Sequence, residues 1–405
     1  MAKEEIIAAL EIGSSRISCV IGRITPQNNI EILEGSQLQT KGIKNGIVID
    51  IDESAYTIKK VIEQSEEKID KFINSVYVGI RGQHIETIHN RGVITISRSD
   101  KEITPEDVVN VIEVSKAIHL ANDREIIDTI PQEFSLDKQR GVHNPVGMEG
   151  NFLEVQSYII TASTLCLNNI DKAIAKEGFD VIEHIYSLLA VGNVVVTDEE
   201  KELGCLLIDI GGQLIGITIY AEGNIKFNAE LAIGADYITR DISYALKTSI
   251  NQAQYIKENY GIAFSSLVKD DHEIEFTGVD GRTIRKISIK YLADIISPRV
   301  EEIFEKINDL IQTTAYSDLF IPGGIILTGG GANLSGMKDA CEKIFNVDTR
   351  IGLPYNITGK ESIISNPSFA TAIGLFKYKP NTETSRTKKF FKKGLIFKRI
   401  RDLFS

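Results

Sequence analysis

The sequence predicts an α/β protein made of two similar halves, and three stretches carry that prediction. In Leu206-Leu207-Ile208-Asp209-Ile210-Gly211-Gly212-Gln213 an apolar run ends in an acid and two glycines. Near the N-terminus the pattern recurs as Ala9-Leu10-Glu11-Ile12-Gly13-Ser14-Ser15, and a third glycine turn follows Ile325-Ile326-Leu327-Thr328 as Gly329-Gly330-Gly331. The run from Cys205 to Ile208 carries no charge and is bounded by turn signals, which makes it a buried strand. Glycine backbones make the turn after it cheaply. Such a turn offers N–H groups to an anion, and a carboxylate beside it can hold a hydrated Mg²⁺ next to phosphate. One acid-X-Gly turn also fits a plain β-hairpin. Two of them, each opening one half of the chain, together with the third turn, favour a nucleotide cleft.

Composition narrows the class. The 405 residues are enough for two or more cored domains. Apolar residues make up 42% and charged residues 25%, as in soluble globular proteins. No apolar run reaches the ~18 residues of a membrane-spanning helix, and Met1 to Glu5 leads into a strand without the apolar segment of a signal peptide, so a cytosolic chain is expected. Cys19, Cys166, Cys205 and Cys341 are scattered among apolar neighbours and form neither a metal motif nor a disulfide framework. The six histidines also lack metal-ligand spacing. Charge is uneven: Arg386 to Ser405 holds eight Lys or Arg against one acid, a net +7, so the net −11 of the whole leaves −18 on the preceding 385 residues. An acidic body argues against general nucleic-acid binding, and a basic tail argues for an anionic partner touched by the tail alone.

Taken in order, residues 5–38 read as strands with turns at Pro26 to Asn29 and near Gly35. The first of these strands is apolar on both faces, so it belongs inside a covered sheet. Asp52 to Phe72 turns helical, with Ile58, Val61, Ile62, Ile69 and Phe72 on one side, and Ser75 to Gly79 is again a strand. From about His84 to Ser163 the character changes, and this span is expected to be an inserted subdomain. Thr104-Pro105-Glu106-Asp107 starts a helix, with Thr as N-cap and Pro at the first helical position; Val108, Val111, Ile112 and Ile118 lie along it. Thr129 to Asp137 is extended, and a glycine-rich loop runs from Gly141 to Gly150. Residues 168–197 supply a helix, a strand and an apolar helix. Beyond the central glycine turn, 214–220 and 225–233 form a hairpin around Gly223. Gly234 opens a helix to about Leu246, a second helix covers Gln252 to Tyr260, and 273–288 is a hairpin turning at Asp280-Gly281. A long helix from about Ile289 to Ala315 is broken or kinked near Pro298. The glycines at 329–331 let a flat ring or a phosphate approach the backbone.

These three turns resemble the phosphate and adenosine loops of the actin-like ATPase superfold. More narrowly, the chain resembles the FtsA family of bacterial cell-division proteins, along nearly its whole length. The resemblance rests on Ile130-Pro131-Gln132-Glu133-Phe134 with Gly141 and Asn144 to Met148, on Leu203-Gly204, on Ile325 to Gly331, on Asn366 to Gly374 and on the basic tail. It implies an actin-like, two-lobed (ribonuclease-H-like) α/β fold with an inserted subdomain of type 1C and a C-terminal amphipathic helix. The implied divisions are subdomain 1A at 1–83 and 164–200 with 368–379 packing back, 1C at 84–163, 2A at 201–228 and 306–367, 2B at 229–305, a linker at 380–395 and the helix at 396–405. The resemblance further implies ATP and Mg²⁺ as ligands and a place at the division site on the cytoplasmic face of the cytoplasmic membrane. The implied partners are the tubulin-like division protein FtsZ, bound through 229–305, further copies of the chain itself, later division proteins and anionic lipids.

By the same resemblance the nucleotide would be held by Gly13, Ser14, Ser15, Asp209, Gly211, Gly212, Gln213, Gly234, Gln254, Lys257, Gly329, Gly330 and Gly331, with Glu11 and Asp209 toward the metal. The chain departs from the family pattern where Glu11 stands for Asp, where Gln213, Leu214 and Gly216 stand for a third glycine, a Thr and a second Asp, and where Gln254 stands for Glu. These changes remove a hydroxyl and a carboxylate near the phosphates. ATP binding is therefore expected with weak turnover at most, and the sequence offers no general base for an attacking water. A soluble small-molecule kinase or phosphatase on the same superfold is the alternative, since the fold hosts both.

The tail favours the function the resemblance implies, an ATP-binding adaptor that tethers FtsZ filaments to the cytoplasmic membrane, self-assembles and recruits later division proteins. After the polar segment Pro380 to Ser385, expected to be flexible, Ile396, Phe397, Ile400, Leu403 and Phe404 fall on one helical stripe, with Lys398, Arg399, Arg401 and Asp402 on the other face. Such a helix can lie in a lipid interface, where each cation near anionic headgroups adds up to ~1 kcal/mol; the alternatives are docking on the chain's own body, which the linker disfavours, and nucleic-acid binding by a basic arm, which the aromatic stripe disfavours.

Overall fold

The computed structural model describes residues 6–25, 29–320 and 322–377; the linker and amphipathic helix expected at 380–405 lie outside the described residues. The described chain separates into two compact units, one running to Gln83 and resuming at Asn169, the other His84–Asn168.

The larger unit contains the same supersecondary pattern twice. In its first sheet, Ile6–Ile12 pairs antiparallel with Arg16–Ile24, which pairs antiparallel with Ile30–Gln39. On the other side of Ile6–Ile12 lies Ser75–Ile80, parallel to it, and then Asp180–Tyr186, also parallel. Ile357–Gly359 closes the opposite edge beside Ile30–Gln39. In the second sheet Cys205–Ile210 pairs antiparallel with Ile215–Ala221, which pairs with Asn224–Leu231, and parallel neighbours Ile325–Thr328 and Thr349–Ile351 follow on the other side. Each half is thus a three-stranded meander extended by parallel strands. The expected run of apolar residues on both faces holds for the two first strands: Ala8 to Leu10 and Cys205 to Ile208 are fully buried.

Helices cover the sheets. Ser187–Val195 and Ala370–Lys377 pack against one another. Gly374 permits the approach, because a Cβ there would collide with the carbonyl of Ala190. In the second half, Ile289–Gln312 places Ile296, Val300, Ile303, Phe304, Ile307 and Ile311 in the core, and the ring of Phe304 meets that of Phe345 edge-on at 6.2 Å. Pro298 sits inside this helix, which continues through it.

In the unit His84–Asn168, Ile85–Thr95, Phe152–Ser163, Arg124–Leu136 and Gln139–Val142 form one antiparallel sheet in that order. The helix Pro105–Ser115 packs on it through Val108, Val111 and Ile112. Its start is the one the sequence specifies: Thr104 accepts from the Asp107 N–H while Asp107 accepts from the Thr104 N–H, a reciprocal cap.

Three local expectations change. Gly35 lies within a strand, where the missing side chain gives Ile363 and Phe369 room to pack. The helix opening near Asp52 spans Ile51–Glu66, and Phe72 is 90% exposed. Asp70 adopts a left-handed conformation and the Glu66 carboxylate accepts the Ile73 N–H at 2.5 Å, so the chain turns before the apolar stripe is complete. Ile118 likewise falls beyond the helix that ends at Ser115.

Candidate nucleotide site

Each half presents its turns at the ends of its central strands, and in the larger unit these turns line one cavity of about 470 Å³. A volume in this range suits a small organic ligand. Glu11, Gly13, Ser14 and Ser15 reach it from the first half. Asp209, Gly211, Gly212, Gln213, Gln254, Lys257, Gly329, Gly330 and Gly331 reach it from the second. Gly234 stands just behind the lining, as the N-cap of Ala235–Leu246. The first turn of that helix donates to the central glycine turn, Ala235 N to Gly211 O at 3.0 Å and Asp236 N to Gly212 O at 2.8 Å. Two N–H groups that a helix start leaves without intrahelical partners thereby fix the glycine turn.

The turns of the two halves touch. The Ser15 hydroxyl donates to Asp236 Oδ2 at 2.6 Å, and Gln213 accepts the Asn45 N–H at 3.1 Å while donating to Ser14 O at 3.4 Å. Arg16 pairs with Glu258 at 2.5 Å, and Glu258 also accepts from Gln254, whose oxygen takes the Thr239 hydroxyl at 2.6 Å. At the third turn Gly329 has φ +82°, and a side chain there would run into the Asp209 carboxylate; this turn requires glycine. A Cβ on Gly330 would meet only the Ser368 Cβ, at 3.8 Å, so this position opens onto free space.

The charged groups are buried and opposed. Lys257 is 7% exposed, donates to Ala235 O at 3.0 Å, and burial pulls its ammonium down to about 8 against the attraction of Asp236 and Glu258. Glu11 is held by the Ser187 hydroxyl at 2.7 Å, and burial raises its carboxyl to about 7 although Arg81 and Ser187 oppose the shift. A carboxyl in that range can take or give a proton near neutrality, a capacity the sequence reading did not identify. Asp209, 2% exposed, is bonded to Arg81 Nη1 at 2.9 Å, and Glu230 Oε1 lies 3.9 Å from Arg81 Nε. Burial works against the Arg81 charge, but Asp209, Glu230 and Glu11 outweigh it and hold the guanidinium protonated. Burial also raises the Glu230 carboxyl, with Arg81 opposing.

Glu11 and Asp209, expected toward a metal, both line the cavity, Glu11 engaged by Ser187 and Asp209 by Arg81. Among the described residues no group of three or more His, Cys, Asp or Glu side chains is disposed to ligate a cation.

Arg81 is the principal residue that reading by sequence missed. Its place follows from the duplication seen in the structure: Ser75–Ile80 stands beside the first strand of its half as Ile325–Thr328 stands beside the first strand of the other. The turn after each therefore faces the cleft, Arg81-Gly82 in one half and Gly329-Gly330-Gly331 in the other.

Comparison with known proteins places this architecture. The family profile described as "Cell division protein FtsA" matches residues 206–374, and that described as "SHS2 domain inserted in FTSA" matches residues 82–161. Cell division protein FtsA of Pseudomonas aeruginosa is 33% identical over 374 residues, covering 92% of this chain and 89% of the relative. That of Neisseria meningitidis is 35% identical over 373 residues, covering 92% and 90%. Among solved structures, a PilM–PilN type IV pilus biogenesis complex aligns with TM-score 0.66 at 16% identity, covering 91% of this chain and 97% of that one. MreB 5 of Spiroplasma citri bound to AMPPNP aligns with TM-score 0.57 at 12% identity, covering 98% of each. These neighbours show an actin-like α/β fold. With a third of its residues identical to relatives matched across nine-tenths of their length, and with the inserted domain present, the chain belongs to the FtsA family of cell division proteins.

Proposed function

We propose that this cell division protein binds ATP between its two halves and acts as a membrane-tethered adaptor for filaments of the tubulin-like protein FtsZ. The observation that carries the nucleotide part is the convergence of three glycine turns from a duplicated fold on one cavity of about 470 Å³. Ser14, Ser15 and the 211–213 turn would face the phosphates, Gly329 to Gly331 the adenosine, and Gln254 and Lys257 the ribose side. A divalent cation would enter with the nucleotide, since Asp209 and Glu11 are already engaged.

The adaptor part is supported by family membership and by the basic, apolar-striped sequence Ile396, Phe397, Lys398, Arg399, Ile400, Arg401, Leu403 and Phe404, suited to an anionic lipid surface. In this reading FtsZ contacts residues 229–305, copies of the chain self-associate, later division proteins are recruited, and the protein works peripherally at the cytoplasmic face of the membrane at the division site. No helix of the described residues is long and apolar enough to cross a membrane.

The test is co-sedimentation of the purified chain with polymerised FtsZ in the absence of lipid. Pelleting that requires FtsZ polymer supports the adaptor. A chain that stays in the supernatant, or that phosphorylates a small molecule after removal of residues 388–405, contradicts it and supports the soluble kinase alternative.

A further inference from the structure

Resting on the nucleotide reading above, we infer that the hairpin at 43–48 reports whether the cleft is filled: its tip, bonded to the phosphate turns of both halves, tightens when phosphates enter, and its base passes that state to the surface. Ile43–Lys44 pairs antiparallel with Ile47–Val48. Between them Asn45 and Gly46 both adopt left-handed backbone, with φ of +48° and +78°, the two-residue turn that an Asn-Gly pair favours. The Gly46 N–H donates to the Ser14 hydroxyl of the first half at 2.8 Å, and the Asn45 N–H donates to Gln213 Oε1 of the second half at 3.1 Å. Gly46 also lies so close to the Arg81 carbonyl that a Cβ would stand 2.1 Å from it. A hairpin that only braced the first phosphate turn would need no bond to the second half.

Ser14 and Gln213 both line the cavity. The Ser14 hydroxyl accepts from Gly46 and, among the described residues, gives its own proton to no acceptor. A hydroxyl has one proton and two acceptor sites, so a phosphate oxygen can take that proton while Gly46 keeps its bond. Hydrogen bonds in such a chain polarise and strengthen one another. At the other end of the hairpin Gly42 O accepts the N–H groups of Ile49 and Asp50 at 2.8 and 3.0 Å, and the Ser54 hydroxyl donates to Asp50 O at 2.6 Å. Asp50 in turn caps Ile51–Glu66 by accepting from the Asp52 and Glu53 N–H groups. The tip is thus tied through a short, bonded segment to a helix start, where Ile47 is 36% and Ile49 67% exposed.

The experiment is hydrogen exchange of the full chain, read by mass spectrometry on peptides spanning 42–50, with and without saturating AMPPNP and Mg²⁺, beside calorimetry of the same ligand. Exchange at Asn45 and Gly46 is expected to slow by at least about fivefold, the lower end of typical coupling between sites, while the helix Pro105–Ser115 in the other unit keeps its rate. In Ser14→Ala, measured at saturating AMPPNP, the slowing at Gly46 is expected to disappear. Calorimetric binding with unchanged exchange at 42–50 overturns the reporter and leaves the nucleotide reading standing. Slowing of equal size in wild type and in Ser14→Ala also overturns it. No binding of AMPPNP to the wild type overturns the nucleotide reading and the inference with it. Where Ser14→Ala fails to fold or to bind, Gln213→Ala takes its place, with the slowing at Asn45 lost; the wild-type comparison decides in either case.

Discussion

Replacing Lys257 by Met should stabilise the protein while weakening its hold on nucleotide. The side chain is 7% exposed and its ammonium is pulled from the ordinary 10.5 to about 8 by burial. A shift of that size is a penalty of ~3 kcal/mol on the folded state at neutral pH, at 1.36 kcal/mol per unit. Lys257→Met also forfeits the hydrogen bond to Ala235 O at 3.0 Å, which offsets ~1 kcal/mol. The net expectation is a gain of ~2 kcal/mol, or a rise in melting temperature of roughly 4 °C for a unit of this size. The pH dependence follows from the sign of the shift. Below about 8 the lysine is protonated in both folded and unfolded chains, so the whole penalty stands. Between about 8 and 10.5 the folded chain sheds the proton first, so wild-type stability rises with pH through that window. The advantage of the Met variant should therefore be present at pH 7 and vanish by pH 10 in paired denaturant titrations. Nucleotide affinity of the wild type should fall by about tenfold from pH 7 to pH 9 as the charge is lost, and the variant should be weak throughout. A Met variant less stable than wild type at pH 7, or a stability difference indifferent to pH, refutes the view of Lys257 as a strained, functional cation.

Other substitutions separate site from scaffold. Gly330→Val points into open space; its melting temperature should match wild type, since changes away from packed groups stay within ~0.5 kcal/mol, while nucleotide affinity falls about tenfold or more by calorimetry. Phe304→Ala empties a fully buried site edge-on to Phe345 and should lower the denaturant midpoint by the equivalent of ~3–5 kcal/mol. Burial pushes the thiols of Cys19, Cys205 and Cys341 up to about 12, whereas Cys166 is partly exposed. A maleimide at pH 7.5 (~7.5 being well below the thiol range of the buried three) should label Cys166 alone in the native protein, by peptide mass mapping.

The legible part of the fold was its punctuation. Glu11-X-Gly13 and Asp209-X-Gly211 each mark the end of a buried first strand, and a repeated acid-X-Gly turn is a local signal that needs no tertiary information. The capped start at Thr104-Pro105 is equally local. Arg81 was not legible, because nothing in Ile80-Arg81-Gly82 distinguishes a cleft turn from an ordinary strand end; its meaning comes from parallel pairing with Ile6–Ile12, a contact of long sequence separation. Glu230 was hidden for the same reason: in Asn224–Leu231 it looks like an outward polar residue of an alternating strand, yet its side chain is 4% exposed beside Arg81. Phe72 shows the opposite failure, a residue in phase with an apolar stripe whose helix had already ended at Glu66. Gly35 reads locally as a turn signal, but only the neighbours Ile363 and Phe369, more than three hundred residues away, explain why a glycine sits inside that strand.

The proposed adaptor joins FtsZ to a lipid surface through the basic C-terminal segment, and flotation with anionic liposomes tests it, using the full chain and a version ending at Thr387, each with purified FtsZ. The full chain is expected to float and carry FtsZ with it, while the shortened chain leaves both at the bottom of the gradient. Flotation of neither form, or FtsZ left behind by a floating chain, contradicts it.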